Sequence, residues 1–526
     1  MKVELYDTTL RDGAQTQGIS FSVTDKLRIA GKLDELGIHY IEGGWPGANP
    51  KDVAFFKKAK KLKLKNSKLA AFGSTRRANT DVSRDATIKG LLAAGTGVIT
   101  IFGKSWDLHV KDVLKTTPSE NLKMIGDSVR YLKSKGKFVI FDAEHFFDGY
   151  SENPEYALKT LLTAEKAGAN RLVLCDTNGG TLTSAIFETV EKVKECVKAP
   201  LGIHAHNDAD MAVANSVAAI QAGCAHVQGT ANGYGERCGN ANLISVIGNL
   251  KAKMGINCVS DISIKELTEA AHYIAEVSNM KLSDNQPFVG ASAFAHKAGV
   301  HVNAIMKNPK SYEHIDPERV GNRRKLLISE LSGKTSILEK AKDLNLKLDK
   351  DALETKKILK KLQKMEHKGY HFEAAEASLE VFMRRAMKKI KKFFELKEFR
   401  VTVEKQSNGN VISEATIKLK VGDKLERTVS LGDGPVNALD SALRKALGDF
   451  YPTLKEMHLT DFKVRVLDEK AGTAAQVRVF IQSQDKAGSW WTVGVSENII
   501  EASWQALADS VLYKLLKDSE KVRERQ

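Results

Sequence analysis

Disulfide chemistry has little to work with in this sequence, which holds five cysteines among 526 residues, an odd number with no C-x-x-C pair. A chain of this length buries a core without covalent staples, so the cysteines read as reduced thiols of a cytoplasmic protein. Long apolar runs are missing too. The nearest candidate, Leu91 to Phe102, is interrupted by Gly95, Thr96, Gly97 and Thr100, well short of the roughly 20 residues that span a bilayer, which excludes a helical membrane protein. The opening MKVELYDTTLRD carries Glu4, Asp7 and Asp12 and no apolar core, which argues against a signal peptide. Two binding signatures are also lacking. No G-x-G-x-x-G follows the first β-rich segment, which counts against a dinucleotide fold, and no RNP-type or G-X-X-G clamp supports RNA recognition.

What is present has the balance of an ordinary globular protein, with 42% hydrophobic and 28% charged residues. A total of 80 Lys and Arg against 65 Asp and Glu leaves +15, a surplus suited to a polyanion or a phosphate-bearing cofactor. Much of it is local. Residues 51–68 hold eight Lys against one Asp, and residues 384–400 eight basic residues against two acidic ones; both read as solvated helix faces.

Periodicity divides the chain in three. Over residues 1–283, short β-rich runs alternate with helical patterns, the runs being Val3–Asp7, Tyr40–Gly44, Leu69–Gly73, Val98–Phe102, Phe138–Phe141, Leu172–Cys175, Gly202–His206 and His226–Gly229. In TDKLRIAGKLDELG, Leu27, Ala30, Leu33 and Leu36 share a helix face, with Thr24 as the expected N-cap and Gly37 as the stop. Eight βα units in about 250 residues predict a (β/α)8 TIM barrel, with a doubly wound open sheet as the alternative. Residues 284–396 lose this rhythm and read as a helical connector, punctuated by Pro287, Pro309 and Pro317 and then Lys-rich. In residues 397–526 the pattern RVTVEK, ATIKLKV, RTVSLG, PVNALDSALRKAL repeats as KVRVLD, AQVRVFIQ, WWTVGV and a helix from Ile499 to Lys517. The halves align at an offset of 64, Thr428 on Thr492 and Ala442 on Ala506, predicting an α+β domain of two βββα repeats with a regulatory or oligomerising role.

A TIM barrel gathers its chemistry where the strands end. The polar residues there are Arg11 and Asp12, Glu42, Glu144, Thr177, His204 and His206 of IHAHND, and Asn240. His204 and His206, two apart in a strand, share a face. A carboxylate from the first strand, adjacent once the barrel closes on the eighth, completes a three-ligand facial site with open positions, suited to Mn, Mg, Zn or Co as a Lewis acid. Arg11 supplies a permanent fork of donors for an oxyanion or carboxylate. Asp142 and Glu144 share a face by alternation; Glu144 is favoured as the base, with Asp142 left open.

DTTLRDGAQTQG, LCDTNGG, HAHNDADMAVANSVAAIQAG, GYGERCGNANL and AHKAGVH together resemble the acetyl-CoA-dependent 2-oxoacid synthases of the DRE-TIM metallolyase group. IEGGWPGANPKD and FDAEHFFDGY are most similar to its citramalate-forming branch, and the resemblance extends to the terminal repeat. It implies that Asp12, His204 and His206 bind a divalent metal, with Asn240 as a further ligand or neighbour. It further implies that Arg11 stabilises the oxyanion, Thr177 holds the 2-oxoacid carboxylate, and Glu144 takes a methyl proton from acetyl-CoA, coupled to His301. His301 and Tyr312 are implied to serve the neighbouring protomer of a homodimer. Bulky residues near the strand ends, Trp45, Phe72 and Phe102, would narrow the pocket toward pyruvate. Feedback by isoleucine, bound within residues 397–526 near the Gly432 to Pro435 turn, is the expectation for the terminal repeat. The competing readings are an isopropylmalate synthase using 2-oxoisovalerate, a homocitrate synthase using 2-oxoglutarate, a retro-aldol lyase on the same barrel, and, in another class, an RNA-binding protein exploiting the positive charge.

Overall fold

The computed structural model describes residues 2–327, 338, 341–342, 353–467, 472 and 474–524, which form two compact units. The first comprises residues 1–294 with 314–324, the second 295–313 with 325–526. Eight strands, β1 (Glu4–Asp7), β2 (Tyr40–Gly44), β3 (Lys68–Ser74), β4 (Val98–Lys104), β5 (Phe138–Glu144), β6 (Arg171–Asp176), β7 (Leu201–Ala205) and β8 (His226–Gly229), pair in order and close into a barrel. Every pairing is parallel, and β1 seals the ring against β8 with Leu5 opposite Val227. All eight expected strands are present, and the open-sheet alternative falls with the closure. The runs are strands because both faces are covered: helices pack outside, and side chains fill the inside.

The filling follows strand alternation. Tyr6, Tyr40, Ala70, Val98, Ile140, Val173 and Cys175 pack in the interior. The same parity, two residues on, continues upward to Glu42, Phe72, Thr100, Asp142 and Thr177. The polar chemistry at the mouth is therefore the upper continuation of the layer that plugs the barrel. One local expectation is corrected. The first helix, Val23–Leu36, is capped by Ser22 rather than Thr24: Ser22 Oγ accepts from the Asp25 amide and the Asp25 carboxylate accepts from the Ser22 amide, a reciprocal box unavailable to Thr24 inside the helix. Gly37, at φ 88°, ends the helix as expected.

In the second unit, β9 (Ala295–His296) pairs with β10 (Lys325–Leu326), a short ladder that a purely helical reading of the connector does not anticipate. Helices follow at Gly299–Lys307, Leu353–His367 and Glu376–Ala386; residues 328–337, 339–340 and 343–352 of the expected connector lie outside the described residues. Two three-stranded antiparallel sheets complete the unit, β11 (Glu395–Lys405), β12 (Val411–Val421) and β13 (Lys424–Gly432), then β14 (His458–Val466), β15 (Val477–Asp485) and β16 (Gly488–Ser496). Each is followed by a helix, Pro435–Leu447 and Ile499–Glu524, the latter longer than expected. The repeat is exact at the level of one hydrogen bond: Thr428 Oγ1 donates to the Ala442 carbonyl at 2.9 Å, and Thr492 Oγ1 to the Ala506 carbonyl at 2.8 Å. Among the described residues no helix is long and apolar enough to cross a membrane.

Candidate active site and metal centre

The turn after β1 and the end of β7 bring three ligand-type side chains together. Asp12 Oδ2 lies 3.5 Å from His204 Nε2 and 3.9 Å from His206 Nε2, and one ligand atom from each residue falls within 4.8 Å of the others. All three are buried. Two atoms bound at about 2.1 Å to one ion stand roughly 3 to 4 Å apart, so the spacing fits a shared divalent cation. The histidine on β7 is pre-oriented: His204 Nδ1 meets Gln228 Oε1 at 3.0 Å, leaving Nε2 to face Asp12, and Gln228 is itself held by its amide donating to Asp142 at 3.0 Å. His206 follows the last strand residue, Ala205, and is pinned by a bridge to Asn240. Asn240 Oδ1 is buried without a hydrogen-bond partner while its amide donates to the Tyr234 carbonyl, so the residue bridged to His206 through the backbone carries a spare oxygen donor.

The electrostatics favour a negative carboxylate facing neutral imidazole on one side. Burial would raise the Asp12 carboxyl, but Arg11, then His204 and His206, hold it far below the ordinary range. His206 is pushed down to about 3 by burial and by His204; His204 is raised, because Asp12 outweighs its burial.

Arg11 is fixed from three sides. Its Nε donates to Glu42 at 2.6 Å, Nη1 stands 3.6 Å from Asp12, and the guanidinium carbon lies 3.7 Å above the Phe72 ring. Glu42 is fully buried and also accepts from the Tyr6 and Thr8 hydroxyls at 2.5 Å, so β2 works as a clamp on Arg11. The cavity, about 240 Å³, is lined by Arg11, Asp12, His204, His206, Thr177, Asp142 and Glu144, with Trp45, Phe72 and Phe102 forming an aromatic wall. Trp45 meets both phenylalanines edge-on, with centroids 5.8 and 5.6 Å away. Behind it a buried Lys26–Asp52 ion pair holds the loop, Asp52 also accepting from the Trp45 amide at 2.9 Å. Of the two carboxylates on the β5 face, Asp142 is tied to Gln228 and pushed up to about 7 by burial and Glu42, whereas Glu144 pairs with Lys104.

Of the residues expected from sequence, Arg11, Asp12, Glu144, Thr177, His204 and His206 converge on this cavity, and Asn240 backs it. His301 and Tyr312 belong to the second unit, where their rings pair with centroids 4.2 Å apart and both residues are exposed. Glu42 as the Arg11 clamp, Gln228 as the His204 orienter and Lys104 as the Glu144 partner were not assigned those roles from sequence. The one available signal was strand parity, which aims Gln228 inward above His226.

Residues 2–274 match the HMGL-like family, residues 288–370 the homocitrate synthase post-HMGL domain-like family, and residues 373–515 the LeuA allosteric (dimerisation) domain. An (R)-citramalate synthase of Aquifex aeolicus is 57% identical over 521 residues, 99% of each chain. The (R)-citramalate synthase of Geobacter sulfurreducens is 55% identical over 98% of each chain. A 2-isopropylmalate synthase of Methanocaldococcus jannaschii is 31% identical, over 99% of this chain and 96% of its own.

Proposed function

This chain belongs to the (R)-citramalate synthases of the HMGL-like family, and from that premise we propose that it condenses acetyl-CoA with pyruvate and hydrolyses the resulting thioester. The observation that carries the reading is the mouth cluster of Asp12, His204 and His206 beside Arg11 and Glu144, in a cavity walled by aromatic rings. Asp12, His204 and His206 would hold one divalent ion, Mn, Mg, Zn or Co, with Asn240 as a further oxygen donor. Bound there, it supplies Lewis-acid polarisation of the pyruvate keto group.

The residues of the chain do the rest. Thr177 hydrogen-bonds the pyruvate carboxylate. Glu144 removes a methyl proton from acetyl-CoA, with Lys104 holding its carboxylate in place. The acetyl carbon attacks the keto carbon, a C–C bond forms, and the former carbonyl oxygen takes the negative charge. Arg11, clamped by Glu42, meets that charge with preorganised donors. Protonation gives the tertiary alcohol; water then cleaves the thioester, releasing CoA and the dicarboxylate. Hydrolysis makes the sequence one-way. His301 and Tyr312, exposed and paired in the second unit, serve the neighbouring protomer of a homodimer, a reading supported by the match to a dimerisation domain. The aromatic wall favours pyruvate over branched 2-oxoacids.

The test is direct. Purified protein with acetyl-CoA and a divalent ion is offered pyruvate, 2-oxobutyrate, 2-oxoisovalerate and 2-oxoglutarate separately, and free CoA thiol is followed. Pyruvate should give the highest kcat/KM; a higher value for 2-oxoisovalerate overturns the assignment. For the effector, isoleucine binding within residues 397–526 near the Gly432 to Pro435 turn accords with the match to an allosteric domain. Two states of the protein that bind isoleucine differently are required for it to reach the barrel. Calorimetry should report heat on titrating isoleucine into the protein. No heat, with undiminished activity at millimolar isoleucine, removes this effector.

A further inference from the structure

Between β5 and the helix Phe146–Glu152, the chain passes through His145, a buried residue at φ 57°, ψ 37°. For a residue with a Cβ the left-handed region costs roughly 1 kcal/mol or more, and such strain persists only where the surroundings over-determine it. They do so here. His145 Nδ1 meets Asp148 Oδ2 at 3.1 Å, its ring lies 4.1 Å from that of His109 and 5.6 Å from Trp106, and Asp148 also bonds the Asn178 side chain. The following helix is seated directly on the 105–106 backbone, so closely that a Cβ on Gly149 would strike the Ser105 carbonyl and Trp106 Cα.

The turn has one outward product. His145 N–H donates to Thr177 Oγ1 at 2.9 Å. A hydroxyl has a single hydrogen to give, and an amide delivered onto its oxygen leaves that hydrogen free to point elsewhere. Thr177 lines the cavity, alongside Glu144 from the residue before the turn. With β5 and the following helix held where they are, an extended or right-handed His145 is accommodated by turning the 144–145 peptide, which carries the amide off Thr177 and leaves the hydroxyl free to rotate.

We infer that His145 is a positioning residue for the 2-oxoacid: its left-handed backbone fixes Thr177 Oγ1 as an acceptor from the amide and thereby commits the Thr177 hydroxyl as a donor to the substrate carboxylate. This rests on the role proposed above for Thr177. The imidazole contributes by holding the backbone, so a residue that tolerates the left-handed region should replace it and a β-branched one should not.

The experiment is a double-mutant cycle on KM and kcat. Thr177→Val should raise KM for pyruvate about 10- to 100-fold, the worth of a hydrogen bond to a charged group, with a smaller change in kcat. His145→Val should match it, and the double variant should be no worse than either single one. His145→Asn and His145→Gly, both at ease in the left-handed region, should keep KM within about threefold of the parent. An unchanged KM in His145→Val overturns the inference, as do single effects that multiply in the double variant, or a His145→Gly as impaired as His145→Val. If the parent protein releases no CoA from any 2-oxoacid, the condensation reading fails. The coupling is then read on pyruvate binding by calorimetry, which needs no turnover.

Discussion

At the floor of the barrel, Glu4 on β1 accepts from Arg171 at 2.9 Å and from the Tyr40 hydroxyl at 3.3 Å, and lies 3.8 Å from His226 on β8; at the mouth, Asp12 faces His204, Arg11 and His206 at 3.5, 3.6 and 3.9 Å. The ingredients are alike: a carboxylate from the first strand or its turn, imidazole from the last strands, and an arginine. The floor spends them on contact. Its carboxylate is neutralised by a covalently fixed guanidinium, and although burial opposes ionisation, His226 and Arg171 draw the Glu4 carboxyl down to about 2. The mouth holds the same charges at arm's length, spacings that suit a third body between them. A closed cluster lowers the energy of the fold, whereas an open one keeps that energy for a ligand.

Changes at the mouth should therefore alter turnover and leave stability largely intact, with the reverse at the floor. The largest effect is expected from metal removal: a chelator should abolish CoA release, added divalent ion should restore it, and His204→Ala or His206→Ala should lower bound metal measured by atomic emission. Full activity in metal-stripped protein would erase the distinction between the ends. Next comes Glu144→Gln, expected to retain metal and pyruvate binding while lowering turnover roughly 10²- to 10⁴-fold, the range for a positioned base. If Asp142→Asn shows that loss and Glu144→Gln does not, the base sits two residues earlier. Opening the aromatic wall by Trp45→Ala should shift the kcat/KM ratio of 2-oxobutyrate to pyruvate upward by roughly tenfold, the worth of a methylene-sized difference in a pocket.

The smallest effect on turnover, and the clearest on stability, belongs to Glu4→Gln. It should leave kcat unchanged and cost on the order of 2–3 kcal/mol at neutral pH, read as a lower Tm. The sign in pH follows. The folded carboxyl titrates near 2 against an ordinary 4.5, so its contribution is complete above 4.5 and is lost as the pH falls toward 2. His226, lowered from 6.5 by burial, is stabilising when neutral and adds an acid-sensitive stage that begins nearer 6.5. Thermal unfolding followed from pH 7 to pH 2 should show both stages in the parent and only the upper one in Glu4→Gln.

The barrel was legible because its strands are short β-rich runs bounded by helical patterns, and because two periodicities, 2 and 3.6, alternate without interruption over residues 1–283. Asp12, His204 and His206 were legible because each sits at a strand end, where barrels keep their chemistry. The clamps around them were not. Glu42 on Arg11, Gln228 on His204 and Lys104 on Glu144 each join different strands, and which pairs meet depends on the register of a closed sheet, which no local pattern encodes. Thr24 reads as the cap from its place before the apolar stripe, whereas the reciprocal pair of Ser22 with Asp25, three residues on, starts the helix two residues earlier. The two-residue ladder of β9 and β10 is too short to have a period. The left-handed turn at His145 carries only a weak marker, since histidine takes such a backbone far less often than glycine does.

The layer of Tyr6, Tyr40, Ala70, Ile140 and Val173 that fills the barrel has a kinetic consequence. With the interior solid beneath the cavity, nothing passes through the barrel, and substrates arrive and products leave by the same opening. If Arg11 and Thr177 hold the 2-oxoacid as proposed, the bulkier thioester enters after it and traps it once both are bound. Turnover should follow an ordered sequence, oxoacid on first and CoA off first, and a product-inhibition study would display it as the dicarboxylate product competing with the oxoacid while CoA gives mixed inhibition against both substrates.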